Sequence, residues 1–178
     1  MPLAETFLEP WNNFFILVGT GSATLAGLVF VALTINLRGV ARDATHRYRA
    51  INMLTGFASV FLLSSLALMG RQPAFAVGIE WLVIAALAAV INTYGYIQAF
   101  RLRSSLYALS KVRMVGGTLG YLGQIVGAIL LIAGIPAGID VAAIALIANF
   151  VYLISGSWLL ILGTIQTTER ADMTGSTD

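Results

Sequence analysis

Five long apolar stretches, separated by short polar segments, run along the chain. A helix of about 20 mostly apolar residues crosses a bilayer core about 30 Å thick. The pattern predicts five such helices, at residues 13–37, 50–70, 74–98, 115–135 and 139–165. Residues 1–166 are therefore expected to form one all-α, five-helix transmembrane bundle, and the polar segment 167–178 a disordered cytoplasmic tail.

Short segments that contain Gly and Pro separate some of these helices. GRQP at 70–73 and IPAGID at 135–140 have the composition of tight turns. The second and third predicted helices, and likewise the fourth and fifth, are therefore expected to form antiparallel hairpins.

The composition agrees with a membrane protein and argues against an enzyme. Of the 178 residues, 58% are hydrophobic and 10% are charged, whereas soluble domains carry about 25% charged residues. The chain has no cysteine and a single histidine, His46, in a predicted loop. Disulfides, thiolate metal sites and a Ser-His-Asp triad are therefore not expected. We expect no catalytic residue, no metal and no cofactor.

The basic residues gather on one side of the predicted bundle. Two clusters follow the first and third helices, Arg170 follows the fifth, and Arg71 stands alone on the opposite side. The two clusters comprise Arg38, Arg42, Arg47, Arg49, Arg101, Arg103, Lys111 and Arg113. Because short loops rich in Lys and Arg stay in the cytoplasm, the topology is predicted as N-out and C-in. The net charge of +2 is then explained by the membrane topology, with binding of anionic lipid headgroups as a secondary consequence, and no nucleic-acid partner is expected.

Aromatic residues near the predicted helix ends support these boundaries. Trp and Tyr prefer the headgroup level of a membrane. The residues concerned are Trp11 and Trp81 on the outer side, and Tyr48, Tyr94 and Tyr96 on the inner side.

The fourth predicted helix carries a stripe of glycines on one face. Small residues let helices approach each other closely in lipid, where no hydrophobic effect drives their association. The stripe recurs with steps of three, four and seven residues, which keeps it on one helix face. It comprises Gly116, Gly120, Gly123, Gly127 and Gly134. This face is expected either to pack the bundle internally or to contact another subunit.

Apart from Asp140 at the very start of the fifth predicted helix, Glu80 is the only Asp, Glu, Lys or Arg inside a predicted helix, about two turns from its outer end. An intramembrane carboxylate is a candidate for ion binding or proton transfer. The alternative is a structural ion pair with Arg71 in the adjacent turn.

Several amides also lie inside the predicted helices. They are Asn36, Asn52, Asn92, Gln124 and Asn149. They are interpreted either as interhelical hydrogen bonds that set the helix register or as a polar pathway that continues inward from Glu80.

The stretch from Trp11 to Arg38 contains WNNFF, GTGSA and LAGLVFVALTINLR. It resembles the opening of small, uncharacterised polytopic membrane proteins of bacteria. The resemblance covers the first span, implies a location in the bacterial inner membrane, and carries no functional residue.

Two functional hypotheses follow from these observations. The first is a non-catalytic membrane component that acts through helix packing, as an accessory subunit or regulator with a homo-oligomeric or membrane-protein partner. The alternative is a homo-oligomeric ion channel or small permease that uses Glu80 and the intramembrane amides.

Overall fold

A computed structural model of the protein describes residues 8–35, 44–69, 72–101 and 107–175, with side chains at 8–35, 47–69, 72–98 and 115–158. A short 3-10 turn, Glu9–Trp11, leads into the first helix. The helices are α1 (Asn12–Ile35), α2 (Ala44–Leu68), α3 (Ala74–Arg101), α4 (Tyr107–Ile132) and α5 (Gly138–Gly175). All five are long and apolar enough to cross a membrane. The prediction of an all-α chain with five apolar helices is confirmed.

Most helix bounds lie within a few residues of the predicted spans, but α5 is much longer. It continues to Gly175 and so includes most of the segment 167–178, for which disorder is predicted. Between Thr167 and Met173 the sequence has neither Gly nor Pro, the residues that interrupt helices most strongly.

The last four helices form a ring. In it α2 adjoins α3, α3 adjoins α4, α4 adjoins α5, and α5 returns to α2. Helix α1 lies outside the ring against α2 and α5. The interior of this four-helix bundle is therefore enclosed by helices of a single chain.

The bundle has two ends with different connections. We call the end where α2 and α4 finish and α3 and α5 begin the short-turn end. At the opposite end, α1 and α3 finish and α2 and α4 begin. We call it the basic end, because the clusters of Arg and Lys in the sequence fall there.

Small residues hold α1 against α2. The Ser22 hydroxyl donates a buried hydrogen bond of 2.6 Å to the carbonyl oxygen of Phe57. A Cβ atom on Gly19 would lie 3.0 Å from the Cβ of Ser64, so the two backbones come close there. Close approach and interhelical hydrogen bonds are the forces that associate helices in lipid.

Gly134 is predicted to belong to the packing stripe of α4, but it lies just after the end of that helix. Its φ of 74° is left-handed, and a Cβ there would meet no atom within 4 Å. The Ile135 amide donates to the Leu130 carbonyl, and the Gly134 amide donates to the Leu131 carbonyl. This pair of bonds is the Schellman motif, in which glycine is favoured because it has no Cβ.

Two aromatic residues assigned to the membrane surface are instead buried in the bundle. Trp81 is fully buried, and its indole N–H donates to the carbonyl oxygen of Leu63 at 3.0 Å. Its ring meets Phe15 edge to face, with the centroids 5.7 Å apart. Tyr96 is buried as well. The polar atom of Trp81 finds a backbone partner inside the protein, so it does not need the headgroup region.

Candidate functional site

Polar side chains from all four helices of the ring are buried. The buried amides and hydroxyls of the ring are those of Asn52, Ser59, Ser64, Asn92, Tyr96, Tyr121, Gln124 and Asn149. Exposed positions on the outside of the bundle instead carry many large apolar side chains, such as Leu119 and Ile144. Because polar groups are costly in hydrocarbon, they turn towards the interior of a membrane bundle.

Gln124 and Asn149 form the centre of this polar interior. They lie near the middle of the apolar spans Val115–Ile132 and Gly138–Trp158. Their exposed fractions are 1% and 0%, respectively. In both side chains the amide oxygen and the amide nitrogen have no hydrogen-bond partner within the described part of the protein. Two buried amide NH2 groups and two buried amide oxygens therefore have no partner about halfway along the bundle.

The glycine stripe of α4 brings Asn149 to this position. A Cβ on Gly120 would lie 3.2 Å from the Cβ of Asn149, so the asparagine rests directly on the backbone of α4. Gln124 lies one helical turn further along α4 than Gly120, on the same side of the helix. The close approach of α4 and α5 thus holds Asn149 against α4 about one helical turn from Gln124.

Tyr121 links three helices beside Asn149. It is almost completely buried, and its hydroxyl interacts with the side chains of Ser59, in α2, and Asn149, in α5. The contact with Asn149 does not meet the geometry of a hydrogen bond, so the asparagine amide remains unpartnered. The Ser59 hydroxyl donates to the Gly56 carbonyl at 2.7 Å in its own helix. The four side chains Ser59, Tyr121, Gln124 and Asn149 are called the central polar layer below.

A second polar group lies nearer the basic end. The Asn52 amide nitrogen donates to the backbone carbonyl of Asn92 at 3.3 Å and so joins α2 to α3. The Asn52 amide oxygen and the Asn92 amide nitrogen have no partner within the described residues. The Asn52 amide fits against the backbone of α3 at Gly95, where no side chain intervenes.

We expect Gly95→Ala to destabilise the protein by displacing the Asn52 amide. The added Cβ would overlap that amide and break its bond to Asn92. Interhelical hydrogen bonds in membranes contribute about 0.6–1.7 kcal/mol, so the melting temperature should fall by a few degrees. The measurement is a double-mutant cycle with Asn52→Ala, in which the cost of Gly95→Ala should largely disappear. Additive losses would show that the two residues act independently.

Two tyrosines face each other across the ring towards the basic end. The hydroxyls of Tyr96, in α3, and Tyr152, in α5, hydrogen-bond to each other. The Tyr152 ring lies against α4, where Cβ atoms on Gly116 and Gly117 would come within 3.4 Å and 3.2 Å of it. This tyrosine pair bridges helices that are not adjacent in the ring, and so it crosses the bundle interior.

Sequence reasoning missed the hydroxyls of this interior. Ser59, Tyr121 and Tyr152 did not stand out, because each is common in a membrane helix. One signal was available: Tyr121 precedes Gln124 by three residues and Tyr152 follows Asn149 by three, so each shares a helix face with a candidate amide.

Glu80 lies apart from the central polar layer, at the short-turn end of α3. It is half-buried, and its Oε1 accepts a hydrogen bond of 3.4 Å from the amide nitrogen of Gln72. Its Oε2 is buried without a hydrogen-bond partner in the described part of the chain. Arg71 lies outside the described residues, so its pairing with Glu80 remains a prediction.

The basic clusters are described only in part. Arg47 lies with its guanidinium carbon 5.7 Å from the centroid of the Tyr48 ring, and Tyr48 meets Tyr94 edge to face. Arg49 lies beside them in α2. The side chains of Arg101, Lys111 and Arg113 are outside the described part, and so are the residues Asn36, Arg38, Arg42 and Arg103.

The glycine stripe of α4 faces α5 of the same chain. A Cβ on Gly123 would lie 2.7 Å from the Cβ of Ala145, and one on Gly127 would lie equally close to Ala142. The stripe from Gly116 to Gly127 is thus covered within the chain.

Comparison of the chain with models of protein families, with curated proteins and with solved structures gives no significant match. The chemistry of the bundle interior is therefore the basis for assigning a function.

Proposed function

We propose that this chain is a small permease or channel of the bacterial inner membrane, and that the interior of its own four-helix bundle is the route. The observation that carries the proposal is the unpartnered pair Gln124 and Asn149 at mid-depth. A buried polar group without a partner costs about 1–3 kcal/mol. This cost is offset when a polar molecule enters the bundle and forms hydrogen bonds with the two amides.

The polar residues are spread along the length of the bundle. Glu80 lies towards the short-turn end, the central polar layer at the middle, and Asn52 and Asn92 towards the basic end. At a rise of about 1.5 Å per residue, successive polar groups lie roughly 5–10 Å apart along the bundle. The hydrogen-bonded pair Tyr96 and Tyr152 crosses the interior near the basic end. The pair is therefore placed to close the proposed route at that end.

The route is proposed within one chain. Gln124 and Asn149 are enclosed by α2, α4 and α5 of the same molecule and do not reach its outer surface. An oligomeric pore would instead need its polar residues on a face that a second copy could meet. The burial of these amides therefore favours the permease form of the hypothesis over a homo-oligomeric pore.

The orientation belongs to the same proposal. We place the basic end in the cytoplasm and the short-turn end outside, because Lys and Arg residues concentrate at the basic end. The topology is then N-out and C-in, and Glu80 is on the outer side.

The hypothesis of a non-catalytic accessory subunit remains a second prediction with less support. It is based on the scarcity of buried charge, the short outer loops and the small-residue faces, of which the glycine face of α4 is largely covered by α5. Pull-downs from native membranes, with and without cross-linking, test it through recovery of a stoichiometric partner.

Access of water to the central polar layer is the direct test of the route. Because the chain has no cysteine, Asn149→Cys creates a single thiol at mid-depth. Methyl methanethiosulfonate reacts with the thiolate, which forms where water is present. The matched control is Leu63→Cys, a fully buried position in the apolar core. We expect modification at position 149 to be at least about tenfold faster than at position 63.

The second arm of the test is flux. Proteoliposomes with the wild-type protein should pass at least one small polar solute or ion faster than protein-free vesicles do. Asn149→Leu should remove this flux, whereas Thr20→Leu at an exposed position of α1 should keep it. Equal thiol reactivity at positions 149 and 63, together with no flux of any probe, would exclude the route.

A further inference from the structure

We infer that the central polar layer selects an uncharged solute that both donates and accepts hydrogen bonds, with a small amide such as urea as the representative. The inference rests on the proposed function and assigns the chemical class of the molecule that crosses. It is carried by the kinds of polar atom that the layer presents and by the charges around it.

The unpartnered atoms of the layer are balanced between donors and acceptors. Gln124 and Asn149 each present one amide oxygen and one amide nitrogen without a partner. An amide oxygen accepts hydrogen bonds, whereas an amide NH2 group donates two. A cation would use the two oxygens and leave both NH2 groups buried and unpartnered. An anion would do the reverse, so only a molecule with donors and acceptors of its own satisfies all four atoms.

The hydroxyl of Tyr121 adds a third group of the same kind to this layer. A phenol both donates and accepts, and its hydrogen rotates to suit the partner. Tyr121 interacts with the side chains of Ser59 and Asn149, so a solute bound at the Asn149 amide would lie near this hydroxyl. The tyrosine pair towards the basic end, Tyr96 and Tyr152, likewise presents hydroxyl groups.

The four side chains of the layer itself carry no charge that could stabilise an ion. Within the described part of the chain, the polar side chains of the ring that are buried are amides and hydroxyls. Transfer of an unpaired ion into such a site costs several kcal/mol or more, because the loss of hydration is not repaid by a counter-charge. Glu80, the half-buried carboxylate at the short-turn end, is on α3 and outside this layer. The central layer is therefore a barrier to ions and a binding site for a neutral solute.

The test compares neutral and charged probes on the same proteoliposomes. Urea and acetamide entry is followed by stopped-flow light scattering, and K⁺, Cl⁻ and H⁺ entry by fluorescent indicators. We expect the wild-type protein to raise urea entry at least about tenfold over protein-free vesicles and to leave the three ion fluxes at the background level.

Asn149→Asp is the diagnostic variant, because it keeps the shape of the side chain but replaces the NH2 donor with a second oxygen. It should lower urea entry about tenfold, because the urea oxygen would lose the NH2 donor of position 149 as its hydrogen-bond partner. Asp140→Asn makes the reverse exchange at an exposed position at the start of α5 and should leave urea entry unchanged.

The outcomes separate this inference from the proposed function. Ion flux without urea or acetamide flux would overturn the neutral-solute assignment and leave the route in place. Urea flux that is insensitive to Asn149→Asp would show that the solute bypasses the central layer and would also overturn the assignment. If no probe crosses and position 149 is unreactive to the thiol reagent, the proposed function itself fails.

Discussion

Gly127→Leu is expected to force α4 away from α5 and to destabilise the protein strongly. A Cβ at this position would lie 2.7 Å from the Cβ of Ala142 and 2.8 Å from both the Ala142 amide nitrogen and the Gly138 carbonyl oxygen. Two of these are backbone atoms, so no change of rotamer relieves the overlap and the helices must move apart. Overpacking costs about 1–3 kcal/mol, and a leucine against backbone should reach the upper end or exceed it.

The measurement is thermal unfolding in detergent or nanodiscs, with Gly27→Leu as the matched control. Gly27 lies in α1, and an added Cβ there would meet no atom within 4 Å. For a loss of 3 kcal/mol we expect the melting temperature to fall by about 6–12 °C, and Gly27→Leu to leave it almost unchanged. Gly123→Leu should act in the same direction, because its Cβ would meet that of Ala145. Equal melting temperatures for Gly127→Leu and Gly27→Leu would contradict the observed packing of α4 on α5.

The second large effect is a gain of stability at the expense of function. Gln124→Met and Asn149→Leu replace unpartnered buried amides by apolar side chains of similar size. Because each unpartnered polar group costs about 1–3 kcal/mol, the double variant should melt at least several degrees higher than the wild type. The same variant should lose solute flux, since the central polar layer no longer offers hydrogen bonds.

Opposite changes in stability and flux distinguish a functional layer from a structural one. If the amides were held by interhelical hydrogen bonds, their removal would lower the melting temperature. Thr20→Leu is the control, since this threonine is exposed on α1, outside the ring. A lower melting temperature for Gln124→Met and Asn149→Leu, with flux retained, would assign the layer a purely structural role.

The amides of the candidate site can be predicted from the sequence, but the residues around them cannot. Gln124 and Asn149 stand out because an amide is rare in an otherwise apolar helix, and both are near the middle of their spans. The partners around them do not stand out. Tyr121 and Ser59 come into contact only because α2, α4 and α5 meet in the ring.

Two predictions failed where a local pattern has two structural meanings. Gly134 continues the spacing of the stripe on α4, yet it serves as the left-handed residue that ends the helix. Trp81 is near a helix end, as an interface residue would be, yet its N–H is bonded to the backbone of α2 inside the bundle. Both outcomes depend on neighbours that are distant in sequence or on one backbone angle.

The sequence by itself determined the five apolar helices, their approximate bounds and the presence of amides inside them. These features follow from transfer free energies of individual residues, which add along a segment without reference to other segments. Only the tertiary structure decided that α2 to α5 form a ring, that α5 covers the glycine stripe, and that Gln124 and Asn149 share an interior without partners. The reason is that helix association in lipid depends on close steric fit between distant segments, and hydropathy carries no information about that fit.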